Sequence, residues 1–186
     1  MSIHGYWQGV EASSQRCYDS SLCVSLITFK KTENVKSVVD FGCGMGNYVK
    51  TFQQQNINAV GFDGNPNTCE LTNNLCKVLD LSVPIQFNDK FDWVMSLEVG
   101  EHLPPQFEDI FINNLHNNNK YGIILSWAVK GQGGKGHFNE QNNDYIKSKI
   151  CKLGYVNDIT SENKLRTDST LRWFKNTIMV FRKSDV

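Results

Sequence analysis

The chain has 186 residues, with 19 Lys and Arg against 19 Asp and Glu, 40% hydrophobic and 20% charged residues. A chain of this length buries roughly 70% of its unfolded surface as one domain and needs no disulfide or metal staple. Zero net charge and the lack of any apolar run near the ~20 residues of a membrane span exclude a membrane-spanning protein, a disordered chain and a strongly basic nucleic-acid binder, leaving at most a local basic patch.

The opening MSIHGYWQGV lacks a basic segment followed by an apolar one, so a cytoplasmic protein with six reduced cysteines is expected (Cys17, Cys23, Cys43, Cys69, Cys76 and Cys151). His4-Gly5-Tyr6-Trp7 is an aromatic cluster that either closes over a ligand or packs on a sheet edge. Leu22, Leu26 and Phe29 give a helical stripe, so residues 1–34 read as a helical or lid segment ahead of a main domain over 35–186.

Val35–Phe41 predicts a strand, Asn47–Gln55 a helix and Ala59–Phe62 a second strand. Asn67–Asn74 predicts a short helix, and Lys77–Leu81 and Phe91–Leu97 the third and fourth strands. Pro104-Pro105 opens a helix to about Asn117, because a first turn does not need the missing N–H. Phe107, Ile110, Phe111 and Leu115 form its core stripe. A fifth strand over Tyr121–Ala128, a loop over Gly131–Gly136 and a helix over Asn143–Lys152 follow. Tyr155–Ile159 and Thr177–Arg182 read as strands with no periodic helix between them, which suits an antiparallel hairpin at the sheet edge. The alternation of strands and helices predicts an α/β fold with a mostly parallel sheet.

Asp40-Phe41-Gly42-Cys43-Gly44-Met45-Gly46 lies between a strand and a helix. Its glycines permit a sharp turn and let a ligand approach the backbone. The spacing is Gly-x-Gly-x-Gly, not that of a dinucleotide site, and no Lys-Ser/Thr follows for a P-loop. The second strand ends at Asp63, an acid suited either to both hydroxyls of a ribose or to an Asp-Gly turn. The third ends at Leu79-Asp80-Leu81, where the acid can accept an adenine amine or cap a turn. All three features fall at the strand ends where sheets of this class bind ligands.

Taken together, VVDFGCGMGNYV (38–49), GFDGN (61–65), VLDL (78–81), WVMSLEVGEHLP (93–104) and the terminal TIMVFRK resemble the class I S-adenosylmethionine-dependent methyltransferases over about residues 35–183. The resemblance implies a Rossmann-like, seven-stranded, mostly parallel sheet with an antiparallel last strand and helices on both faces. It places the donor's methionine tail over Gly42, Cys43 and Gly44, with Asp40 and Glu98 toward that end. It also places the ribose on Asp63, the adenosine beside Gly64 and Asn65, and adenine near Asp80 and Leu81.

Glu98-Val99-Gly100-Glu101-His102 follows the fourth strand, and His137 lies beyond the fifth. Mixed carboxylate and imidazole groups suit Mg, Mn or Zn. The pattern resembles two methyltransferase groups, the ubiquinone-pathway O-methyltransferases and the small-RNA 3′-end 2′-O-methyltransferases. Carried over, the catalytic and metal-binding residues are Glu98, Glu101, His102 and His137. Without a metal, the same residues line the pocket and His102 or His137 acts as general base. The expected reaction is methyl transfer to a small-molecule acceptor, oxygen favoured over nitrogen, since no Asn-Pro-Pro-Tyr-type amine motif stands at Ser96–Val99. Two alternatives stay open: an RNA 2′-O-methyltransferase using Lys130, Lys135, Lys147, Lys149 and Lys152 as a basic track, and a non-catalytic S-adenosylmethionine-binding module. Trp127 reads as pocket wall or core, and Trp173 and Phe174 as core or interface.

Overall fold

The computed structural model describes residues 2–7 and 18–184. The apolar runs form strands β1 (Ser37–Phe41), β2 (Asn58–Asp63), β3 (Lys77–Val78), β4 (Phe91–Leu97), β5 (Asn119–Ser126), β6 (Tyr155–Asn157) and β7 (Met179–Lys183). They make one sheet in the order β3-β2-β1-β4-β5-β7-β6. The first five strands are mutually parallel, and β7 runs antiparallel to both β5 and β6. This is the mostly parallel seven-stranded sheet that the sequence implies. The chain runs outward from β1 to β3 on one side, then returns to place β4 against β1. The loops on either side of that switch point diverge and open a crevice at the strands' carboxyl ends.

Among the described residues, seven α-helices pack around the sheet: α1 (Ser20–Thr32), α2 (Asn47–Gln54), α3 (Thr68–Leu71), α4 (Glu108–Asn117), α5 (Asn143–Cys151), α6 (Ile159–Asp168) and α7 (Phe174–Thr177). Successive strand residues point to opposite faces, so both faces need cover. Val38, Trp93, Met95, Ile124 and Val180 pack with Leu22 and Leu26 of α1, Val49 and Phe52 of α2, and Leu165 of α6. Val39, Phe41, Val94, Ile123, Leu125 and Phe181 pack with Phe111 and Leu115 of α4 and Ile146 and Ile150 of α5. Each fully buried side chain of this kind contributes about 1.5–3 kcal/mol.

The helix within residues 1–34 is α1, and it belongs to the main core. Asp19 caps it by accepting from the Leu22 N–H at 3.0 Å, while its other oxygen accepts from the N–H groups of Thr170 (2.6 Å) and Leu171 (2.8 Å). One buried carboxylate thus ties α1 to the approach to α7.

Three expectations change in detail. The third strand ends at Val78, not Leu81, because Asp80 turns the chain: its Oδ1 accepts from Ser82 N–H (2.8 Å) and Oγ–H (2.7 Å). After Pro104 a 3₁₀ turn over Pro105–Phe107 precedes α4. The last two strands do pair antiparallel at the edge, but α6 and α7 lie between them, so they are not a hairpin. No described helix is long and apolar enough to cross a membrane. The five described cysteines are free, and Cys17 lies outside the described residues.

Candidate active site

A cavity of about 640 Å³ sits over the switch point, lined by the glycine loop, the loops after β2, β4 and β5, and residues 4–7. On one side the glycine loop hangs on the end of β2. Gly42 and Cys43 both donate to the Phe62 carbonyl, at 2.7 and 3.0 Å. Gly42 has φ 82°, and a Cβ there would run into the Val99 side chain after β4. The loop therefore depends on glycine for both its conformation and its fit.

Asp63 holds this side together. Its Oδ2 accepts from the Gly44 N–H at 3.0 Å and its Oδ1 from the Asn65 N–H at 2.9 Å. Burial pushes its carboxyl up from the ordinary value, against the pull of the Asn65 and Gly44 N–H groups. Asp40 also lines the cavity. Burial pushes its pKa up to about 7, with the Lys30 charge opposing and the Asp63 charge adding. Gly64, Asn65 and Leu81 line the same wall. Asp80 does not. Besides its bonds to Ser82, its Oδ2 lies 3.0 Å from His4 Nδ1. The acid expected beside the adenine amine meets Ser82 and His4 in this structure.

The other side is built from side chains. Glu101 is fully buried, and neither carboxylate oxygen has a side-chain hydrogen-bond partner; the backbone N–H groups of Glu101 and Ala128 face it. Burial raises its pKa well above the ordinary value and the Glu98 charge raises it further, against the pull of the Glu101 and Ala128 backbone N–H groups. His102 and His137 stand beside it with ring centroids 4.9 Å apart. One ligating atom from each of Glu101, His102 and His137 lies within 4.8 Å of the others. His102 Nδ1 faces the Gly136 carbonyl at 3.0 Å, which can only accept, so the proton sits on Nδ1 and Nε2 keeps its lone pair. Burial pushes the His102 pKa down to about 4, the Gly136 carbonyl opposing, so the ring is neutral near pH 7. His137 Nδ1 likewise faces Glu140 Oε1 at 2.9 Å. Imidazoles anchored through one nitrogen to a carbonyl or carboxylate are the usual second shell of a metal site. A buried carboxylate without a side-chain partner needs a proton or a cation. The residues present therefore fit a divalent ion.

Glu98 stands apart from that group. It follows β4 at φ 54°, a strained conformation for a side-chain-bearing residue. Its Oε2 accepts from Gln132 Nε2 at 2.8 Å and its Oε1 from the Thr177 hydroxyl at 3.0 Å. The expected four-group set is thus three groups, with Glu98 on the cavity wall. Glu140 went unnoticed in the sequence, yet it shapes the loop that carries His137. Its two carboxylate oxygens accept from the N–H groups of Gly131 (2.8 Å) and Gly133 (2.7 Å). The His137-x-x-Glu140 spacing was the available signal. Trp127 proves to be core: it is fully buried, donates to the Asn139 carbonyl at 2.6 Å, and packs against Gly100. Phe174 is core as well, whereas Trp173 lies at the cavity.

A family model described as a methyltransferase domain matches residues 18–125, more than half of the chain. The chloroplastic tocopherol O-methyltransferase of Arabidopsis thaliana is 26% identical over 164 residues, covering 80% of this chain and 47% of that protein. The chain spans about half the length of the curated relatives it matches. Magnesium protoporphyrin IX methyltransferase from Synechocystis PCC 6803, with bound SAH, superposes with TM-score 0.67 at 18% identity, over 87% of this chain and 81% of that one. The methyltransferase domain of bacterial CtHen1 superposes with TM-score 0.63 at 17% identity, over 89% and 98%. At these identities the solved structures establish the fold.

Proposed function

The chain belongs to the S-adenosylmethionine-dependent methyltransferase family, and on that premise we propose that it transfers the donor's methyl group to a hydroxyl oxygen of a small molecule. The observation that carries this reading is the continuity of one cavity from Asp63 to the group of Glu101, His102 and His137. Gly42, Cys43 and Gly44 support the methionine tail, and Asp63 takes the ribose hydroxyls. Asp40 lies toward the amino-acid end. The sulfonium methyl is already activated, so the protein's main tasks are to align donor with acceptor and to take up the acceptor's proton.

Glu101, His102 and His137 would hold a divalent ion of intermediate hardness, such as Mn or Zn. Bound there, it supplies Lewis acidity toward an acceptor hydroxyl. The Gly136 carbonyl and Glu140 fix the two imidazoles, while Glu98 borders the cavity between Gln132 and Thr177. A relative named for O-methylation of tocopherol supports an oxygen acceptor on a small molecule. The RNA reading loses support, because two of its five lysines are held in ion pairs and Lys135 lies over the Trp7 ring. Lys147 pairs with Glu162 at 2.8 Å, and Lys149 pairs with Glu108 and Asp109.

The test is methyl transfer from methyl-labelled S-adenosylmethionine to a panel of phenols, quinols, aliphatic alcohols, amines and short RNAs, with Mn or Zn added or with chelator. Label on hydroxyl compounds, reduced by chelator, is the expected result. Label confined to amines or RNA would overturn the acceptor assignment. Donor binding without any transfer would favour a binding module.

A further inference from the structure

Residues 4–7 touch the loops that follow four different strands. His4 Nδ1 lies 2.8 Å from Ser82 Oγ and 3.0 Å from Asp80 Oδ2, after β3, and its ring stacks on Phe107 at 5.7 Å. Gly5 has φ 87° and presses on the backbone after β4, where a Cβ would overlap the His102 carbonyl. Tyr6 covers Gly64 after β2: a Cβ on Gly64 would lie 2.7 Å from Tyr6 Cβ and 2.9 Å from its Cγ. Trp7 meets His102 edge-on at 5.6 Å, and Lys135, after β5, lies 5.5 Å over the Trp7 ring. All four residues line the cavity.

We infer that residues 4–7 form a strap that makes Tyr6 a donor-binding residue, with the His4–Asp80 contact as the strap's anchor. The inference rests on the donor site described above. Gly64 directly follows the ribose acid Asp63, so a ring laid on Gly64 borders the nucleoside rather than the methionine tail. An aromatic face there offers stacking to a purine and excludes water from its edge. Asp80 is a positioning residue on this account. One carboxylate oxygen holds the Ser82 turn, the other meets His4, and the side chain lies outside the cavity lining. Its effect on the donor therefore passes through the strap.

The test is calorimetric titration of the full chain with S-adenosylhomocysteine and, separately, with adenosine. Tyr6→Ala should weaken both by about ten- to a hundredfold, the scale of one base–aromatic stack. Tyr6→Phe should stay within about threefold of the unaltered protein, since it keeps the ring. Asp80→Asn should weaken both ligands less than Tyr6→Ala does, and should add nothing in the Tyr6→Ala background. Unliganded melting midpoints near that of the unaltered protein mark the variants as folded. Donor binding untouched by Tyr6→Ala would overturn the strap. So would an Asp80→Asn loss that adds in full to that of Tyr6→Ala, the mark of a direct adenine contact. A failure of the donor site itself looks different: S-adenosylhomocysteine does not bind the unaltered protein, or Asp63→Ala binds it equally well, and the strap falls with it.

Discussion

On the donor side of the cavity, main-chain groups set the geometry: Gly42 and Cys43 donate to Phe62, and Gly44 and Asn65 donate to Asp63. On the acceptor side, Glu101, His102 and His137 come from two loops, and the central carboxylate has no side-chain hydrogen-bond partner. The donor wall is satisfied within the protein, whereas the acceptor wall keeps a buried charge or proton waiting for something to meet it. A satisfied wall resists change and binds a fixed ligand, and an unsatisfied one is where chemistry can be done.

The contrast is sharpest at Glu101. Glu101→Gln removes a carboxylate with no side-chain partner and keeps an oxygen that can accept from the backbone N–H groups facing it, so the fold should survive. Turnover should fall by about a hundredfold to a thousandfold, with S-adenosylhomocysteine affinity unchanged by calorimetry. Loss of donor binding in that variant would erase the distinction between the two walls. Asp63→Ala should do the reverse. The Gly44 and Asn65 N–H groups lose their acceptor and the ribose would lose its proposed partner, so donor affinity should drop by about ten- to a hundredfold. Turnover at saturating donor should be largely kept, as steady-state kinetics would show. Glu140→Gln sharpens the acceptor side further. It should cut metal affinity by about ten- to a hundredfold through His137 alone, read by competition with a chelating dye.

Asp19, outside both walls, serves as a stability control. Asp19→Ala leaves the Leu22, Thr170 and Leu171 N–H groups without their acceptor and should cost about 3–5 kcal/mol in denaturant unfolding. Burial pushes the Asp19 carboxyl up, but the N–H groups of Leu171, Leu22 and Thr170 outweigh it and hold its pKa below the ordinary 3.8. Its contribution is therefore full above about pH 3.8 and is lost as pH falls through the lower folded value. Asp19→Asn should flatten that acid limb of the stability profile and lower stability near neutrality, because its amide nitrogen cannot accept from an N–H group as the carboxylate oxygen does.

The same contrast explains what could be read in the sequence. The donor wall is local: strand, glycine loop, helix, strand and acid follow one another from Val38 to Asn65, so periodicity and turn chemistry expose it. The acceptor wall was legible as the set Glu98, Glu101, His102 and His137, but not which of the four stand together, because no sequence pattern tells that Glu98 turns to Gln132 and Thr177 while Glu101 stays without a side-chain partner. The contacts of His4–Trp7 join loops far apart in the chain and leave no local trace. Helix α6 was missed because it lacks an apolar stripe. Leu165 is its one buried apolar residue, and its buried Glu162 is held instead by Lys147, Asn157 and Arg166. Its legible signal was the cap, Asp158 accepting from the Ser161 N–H at 3.0 Å.

The most direct test of the two-wall account is thermal unfolding with S-adenosylhomocysteine and with Mn or Zn, each alone and together, in the unaltered protein, Asp63→Ala and His102→Gln. A ligand at about a hundred times its dissociation constant adds roughly 2.7 kcal/mol, or about 5–10 °C for a domain of this size. The account predicts two separate shifts, the donor shift reduced only by Asp63→Ala and the metal shift reduced only by His102→Gln. No shift with S-adenosylhomocysteine, or a metal shift that His102→Gln leaves intact, would contradict it.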